Sequence, residues 1–197
     1  MARQFAVTWD YRCPFARNAH EALVNGIRAG RDWEVRFWPF SLDQIHVEEG
    51  EPAVWERSLD EPHGMGGVRA LLWGIAVRDT FPEQFLDFHI AAFRARHDEG
   101  KKIAEEPVLR AVAESVGLDP DAVAEEVASG RPLKALEAEH TEAVERFAVF
   151  GVPTVIDGDE AVFVRIMERG NVDDWAQALD LVASTRLNEF KRTKIPR

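Results

Sequence analysis

The first forty residues switch between two hydrophobic periods. Phe5 to Trp9 is a short run of aromatic, apolar and β-branched residues, the composition of a strand. Pro14 suits the first position of a helix, where its missing N–H costs nothing. Phe15, Ala19, Leu23 and Ile27 then recur at four-residue spacing and predict one apolar helical stripe, with Gly30 as its stop. Trp33 to Phe40 returns to alternation and predicts a second strand. Two strands joined by a helix-length crossover point to a parallel βαβ unit.

Between Leu42 and Pro62 the pattern breaks up among acidic residues and prolines, and Gly64-Met65-Gly66-Gly67 reads as a flexible loop. The region from Val68 to about Gly130 has helical periodicity in several pieces. Val68, Leu71, Leu72, Ile75 and Ala76 form one stripe, and Phe85, Phe88, His89, Ala92 and Phe93 another. Glu105 to Val116 and Asp121 to Ala128 predict two shorter helices around Gly117-Leu118-Asp119-Pro120. With no strand pattern in it, this middle section reads as a helical subdomain.

A further helix starts at Pro132, with Leu133, Leu136, His140, Val144 and Phe147 on one face, and runs to Phe150-Gly151-Val152-Pro153-Thr154. Thr154–Ile156 and Ala161–Val164 flank Asp157-Gly158-Asp159-Glu160, a hairpin signal. Asn171 is a good N-cap for a last helix whose buried stripe is Val172, Trp175, Leu179 and Val182. The predicted class is α/β, ordered βαβ, helical insert, αββα. Residues 1–41 and 131–197 form the mixed domain and 42–130 the insert.

Composition narrows the function classes. At 197 residues, 46% apolar and 30% charged, the chain can bury a substantial core. A net charge of −11 with scattered Lys and Arg argues against nucleic-acid binding, which needs clustered cations. No apolar run approaches the roughly 20 residues that cross a bilayer. The start runs directly into a strand and leaves no room for a signal peptide, so a cytoplasmic location is expected, with no membrane partner. The six histidines have no metal-ligand spacing, and no metal is assigned. Nucleotide chemistry has no support either, since Gly64 to Gly67 lacks the Lys-Ser/Thr of a phosphate loop.

The chemistry centres on Cys13, the sole cysteine, in Trp9-Asp10-Tyr11-Arg12-Cys13-Pro14-Phe15-Ala16. One cysteine cannot form an internal disulfide. Placed where a loop enters a helix, its sulfur meets free backbone N–H groups and the positive end of the helix dipole, which favour the thiolate. Arg12 and Arg17 are expected to help and Asp10 to oppose. The position three residues on, where a dithiol loop carries its second cysteine, is Ala16. His20 lies seven residues beyond Cys13, about 10 Å along the helix, too far to act as its base.

Cys-Pro opening the first helix and Gly151-Val152-Pro153-Thr154 before the third strand give the chain a resemblance to the DsbA-like branch of the thioredoxin superfamily, a thioredoxin-like fold with an inserted all-helical subdomain. The resemblance implies a cis peptide at Pro153 beside the active cysteine, and backbone groups of Val152 that pair with an extended substrate or a thiol ligand. Phe40-Ser41-Leu42, Gly67-Val68-Arg69, His97-Asp98-Glu99-Gly100 and Glu189-Phe190-Lys191-Arg192-Thr193 resemble stretches of the actinobacterial cytoplasmic DsbA-like proteins, which include mycothiol-dependent nitroreductases. That group has Cys-Pro-Trp-Cys; here Phe15 replaces the Trp and Ala16 the second Cys.

The implied function is thiol–disulfide exchange through Cys13, with Pro14, Phe15, Val152, Pro153, Thr154 and His97 around the thiol or substrate. Without a second cysteine, an external thiol must resolve the mixed disulfide. No tightly bound cofactor is expected; a low-molecular-weight thiol, mycothiol or glutathione, serves as co-substrate, and the partners are small thiols or disulfides. Two alternatives stay open. Kappa-class glutathione transferases and 2-hydroxychromene-2-carboxylate isomerases are similar in architecture but carry Ser at the Cys13 position, and a thiol-binding module could retain the fold without turnover. The acidic surface and apolar insert are compatible with a homodimer.

Overall fold

The structure is a computed structural model that describes residues 2–59, 66–186 and 189. The Gly64–Gly67 loop falls partly, and the Glu189–Thr193 match mostly, outside the described residues. Strand β1 (Arg3–Trp9) leads into α1 (Pro14–Arg28) and β2 (Trp33–Pro39), after which Gln44–His46 and Val54–Glu56 form two 3-10 turns. Four helices follow: α2 (Val68–Thr80), α3 (Pro82–His97), α4 (Glu106–Ser115) and α5 (Pro120–Ala128). The chain returns through α6 (Arg131–Phe147) to the hairpin β3 (Thr154–Asp157) and β4 (Glu160–Phe163), and then to α7 (Val172–Val182). The class is α/β, a thioredoxin-like fold with a helical insertion.

The sheet order is β2-β1-β3-β4. β1 runs parallel to β2 with Phe5 opposite Val35, as a helical crossover requires, and antiparallel to β3 with Val7 opposite Val155. β1 therefore lies inside the sheet, and its last five residues are buried. Its C-terminal end delivers Asp10 to Cys13 to the edge of the core, where α1 starts.

Three predicted stripes differ from what is observed. In α7 Trp175, Leu179 and Val182 are buried, but Val172 in the first turn is only half-buried. In α1 the buried face is Ala16, Ala19, Ala22, Leu23 and Val24, joined by Asn18, His20 and Glu21, while Phe15 and Ile27 are only half-buried. The cause is crowding: α1 packs against β1, α3 and α7, so its contact surface is wider than one stripe. In α6 the buried residues include Leu136, His140 and Ala143, and Val144 is exposed. The preceding Ala143 lies against the core instead, about 100° away around the helix. Among the described residues no helix is long and apolar enough to cross a membrane.

The insert is joined to the sheet domain by polar groups buried in both. The Tyr11 hydroxyl lies 2.9 Å from His89 Nδ1, His89 Nε2 lies 2.9 Å from His20 Nδ1, and His20 Nε2 lies 3.1 Å from the Thr8 carbonyl. All four residues are fully buried. A carbonyl only accepts, so His20 donates from Nε2 and its neutral Nδ1 accepts from His89; His89 Nδ1 is then left to accept the Tyr11 hydroxyl. Each bond in the chain fixes the tautomer of the next.

Candidate active site

Cys13 is the N-cap of α1, with Pro14 in the first turn and the N–H of Ala16 donating to Sγ at 3.4 Å. Its thiol in turn donates to the Val152 carbonyl at 3.3 Å, across 139 residues of sequence. The Val152–Pro153 peptide is cis, and both residues are buried. The Val152 carbonyl thus meets the sulfur, Pro14 is exposed, and Phe15 is half-buried. Ala16 is fully buried, facing inward beneath Cys13.

Thr154 and His97 hold this arrangement from behind. Thr154 is buried; its N–H donates to the Thr8 hydroxyl at 2.8 Å and its hydroxyl to the Gly151 carbonyl at 2.8 Å. Both polar groups are engaged within the fold, clamping the turn that carries Pro153. His97, the last residue of α3, donates from Nε2 to the Tyr11 carbonyl at 2.9 Å and so anchors the Cys13 loop to the insert. Burial, first of all, lowers its pKa. The structure makes His97 half-buried and commits its Nε2 to this backbone bond.

The electrostatics of the thiol require a correction. Helix placement and two arginines predict a stabilised thiolate, yet burial pushes the Cys13 thiol up, above its ordinary value. The backbone N–H groups of Ala16 and Phe15 pull it down, Asp10 adds to the rise, and Arg165 opposes it. Neither Arg12 nor Arg17 is free for the sulfur. Arg12 pairs with Asp43 at 2.7 Å and lies 3.8 Å from Asp10; Arg17 pairs with Asp98 at 3.0 Å. Asp98 is also held by Arg169, which reaches Glu21 on α1 at 2.5 Å.

Sequence reasoning set Asp10 against the thiolate, as found, but missed its burial and the neighbouring Asp43 beneath the loop. Asp10 is fully buried and accepts the N–H of Arg12 at 2.8 Å and of Leu42 at 2.9 Å. Burial raises its pKa, against the Arg12 charge and these two amides. Asp43 accepts the N–H of Gly67 at 3.0 Å. Gly67 has to lack a side chain here, because a Cβ would lie 2.9 Å from Arg12 Nε and 3.2 Å from the Asp10 carboxyl. The only sequence signal was Asp10 itself, polar at the end of an apolar strand.

Sequence reasoning also missed Arg165. Its guanidinium lies over the Phe15 ring, 4.2 Å from the centroid, with Phe163 at 5.5 Å. Among the described residues no group of three or more His, Cys, Asp or Glu could hold a metal ion.

Comparison with known proteins bears on the fold and the family. Residues 75–180 match the DSBA-like thioredoxin domain, and the chain belongs to that family. It is 26% identical over 174 residues to the uncharacterized protein YwbO of Bacillus subtilis (strain 168), covering 78% of this chain and 86% of that one. Among solved structures it is similar to oxidised BdbD from Bacillus subtilis, with TM-score 0.61 at 16% identity over 91% of this chain and 86% of that one. MdbA from Actinomyces oris, a thiol-disulfide oxidoreductase, superposes with TM-score 0.61 at 20% identity over 92% of this chain and 79% of that one. At these identities the two structures speak for the fold.

Proposed function

We propose that this chain is a monothiol member of its family, exchanging disulfides through Cys13 with a low-molecular-weight thiol such as glutathione or mycothiol. In the first step Cys13, as thiolate, attacks a mixed disulfide X–S–S–R. The Cys13–S–S–R bond forms, the original S–S bond breaks, and X–S⁻ leaves, taking up the proton that Cys13 gave up. An external R–SH, also as thiolate, then attacks the R sulfur, releasing R–S–S–R and regenerating Cys13. The net reaction transfers R–S from X to the external thiol, with electrons and protons in balance. A cytoplasmic setting, where reduced small thiols are abundant, belongs to this reading.

The observation that carries it is the placement of Cys13 Sγ, at the N-terminus of α1 and 3.3 Å from the carbonyl preceding cis-Pro153, with a methyl group at residue 16. That geometry presents one sulfur and no resolving partner. The raised thiol pKa supports a second reading, in which the site activates or holds a bound thiol without itself attacking. Mass spectrometry after incubation with an oxidised small thiol separates the two. The exchange reading expects one adduct on Cys13, absent in Cys13→Ser and removed by excess reduced thiol. An unmodified Cys13 at mildly alkaline pH would leave only the binding reading.

A further inference from the structure

Four arginines stand around the Cys13 loop, and three of them are paired. Arg12 is held by Asp43, Arg17 by Asp98, and Arg169 by Glu21 and Asp98. Arg165 differs: among the described residues it forms no ion pair, it is exposed, and it rests on the faces of Phe15 and Phe163.

Its position is nonetheless fixed from both sides. Just before it, the Val164 N–H donates to the carbonyl of cis-Pro153 at 3.0 Å. Just after it, the Ile166 and Met167 carbonyls accept from the Asn18 side chain on α1 at 3.3 and 3.1 Å. The residue is therefore strapped between the turn that backs the sulfur and the helix that the sulfur caps. Its side chain lies on Phe15, two residues beyond Cys13. Stacking over a ring restrains a guanidinium but leaves its N–H edge open to an acceptor. Its charge already reaches Cys13, where it opposes the rise caused by burial. In a chain of net charge −11, an unpaired cation held there is a local exception.

We infer that Arg165 is a specificity residue that receives a carboxylate of the incoming thiol or disulfide, so that the small-thiol partner is an acidic one. The inference rests on the exchange reading and narrows it. A carboxylate on the R group would meet the open edge of the guanidinium while R–S lies on Cys13, a charge-assisted contact with the planar geometry arginine favours. A neutral sugar-linked thiol such as mycothiol would gain nothing from this contact, whereas a peptide thiol with free carboxylates would.

The test compares the rate of Cys13 adduct formation with three disulfides of different charge: glutathione disulfide (anionic), bis(2-hydroxyethyl) disulfide (neutral) and cystamine (cationic). The wild type is compared with Arg165→Gln and Arg165→Lys. Any change in Cys13 nucleophilicity scales all three rates and cancels in their ratios. The expected result is that Arg165→Gln lowers the anionic-to-neutral ratio by about three- to tenfold, the size of one exposed charge-assisted contact. Arg165→Lys keeps most of the preference, and high salt compresses it in the wild type. Adducts whose ratios are the same in wild type and Arg165→Gln overturn this inference and leave the exchange reading standing. No adduct with any of the three overturns both.

Discussion

The Tyr11 hydroxyl donates to Nδ1 of His89 at 2.9 Å, and this bond joins the loop that carries Cys13 to the helical insert. Tyr11 lies two residues before the cysteine and His89 in the middle of α3, and neither has any exposed surface. The partner leaves His89 one role only, since its Nε2–H is committed to His20. Replacing Tyr11 by Phe keeps the ring and removes the donor, leaving a buried imidazole nitrogen unsatisfied. The expected cost is about 1–3 kcal/mol in urea unfolding, with no change in secondary structure by circular dichroism.

Gly74 permits the same contact from α2. A Cβ there would lie 2.5 Å from the Tyr11 hydroxyl oxygen and 2.9 Å from its ring. On an open helix, Gly→Ala would stabilise by about 1 kcal/mol. Here the clash should outweigh that gain, and Gly74→Ala should destabilise by about 1–3 kcal/mol as overpacking does. In the Tyr11→Phe background the penalty should shrink, because the nearest atom has gone; a double-mutant cycle reads the difference.

Acid should unfold this protein through its buried histidines. Burial lowers the pKa of His20 and His140 to about 4 and that of His89 well below its ordinary value. His140 Nδ1 accepts the Ser41 N–H and its ring stacks on Phe40, so protonation would cost both that acceptor and its apolar setting. With folded values below unfolded ones, the unfolded state binds more protons as pH falls. Stability is complete above about pH 6.5 and is lost between there and about pH 4, at about 1.4 kcal/mol per pH unit for each histidine. Asp10, whose pKa is raised by burial, acts in the opposite direction and offsets part of the loss. Urea midpoints at pH 7, 6 and 5 should fall steadily, and a flat profile would contradict the neutral hydrogen-bond chain.

The thiol should titrate late. Because burial raises the Cys13 pKa above its ordinary value, the iodoacetamide alkylation rate should still be climbing beyond pH 9. Asp10→Asn removes a like charge and should move the midpoint down; Arg165→Gln should move it up. A plateau by pH 7 would show that the helix N-terminus outweighs burial after all.

Restoring a second cysteine should change the kinetics more than the fold. Ala16 is three residues from Cys13 in the first turn of α1, where the two Cα atoms are about 5–6 Å apart, within the span of a disulfide. In Ala16→Cys the Cys13 adduct should be released by internal attack, so its lifetime no longer depends on the concentration of external thiol. Stopped mass spectrometry of the adduct at several thiol concentrations measures this directly.

Much of the fold was legible in local pattern. Pro14 and Asn171 mark helix starts that the structure keeps, and Asp157-Gly158 marks the hairpin. The reason is that turn chemistry and hydrophobic period act over a few residues and need no knowledge of the rest of the chain. The stripes were less legible, because a period shows that a helix has a buried face but not how many neighbours widen it. Phe15 reads both as a member of that stripe and as a residue around the thiol; the structure leaves it half-buried under Arg165.

The sequence by itself determined which atom could react and which could not: one sulfur at residue 13, a methyl group at residue 16, and a proline after Val152. Tertiary structure decided the rest. It brought Val152 to Cys13 across 139 residues, committed Arg12 and Arg17 to carboxylates, and left Arg165 open beside Phe15. It also buried the sulfur enough to raise its pKa where helix placement alone predicts a lowered one. Charge and dipole can be read along a chain, but desolvation depends on everything packed around the sulfur, and at Cys13 desolvation is the larger effect.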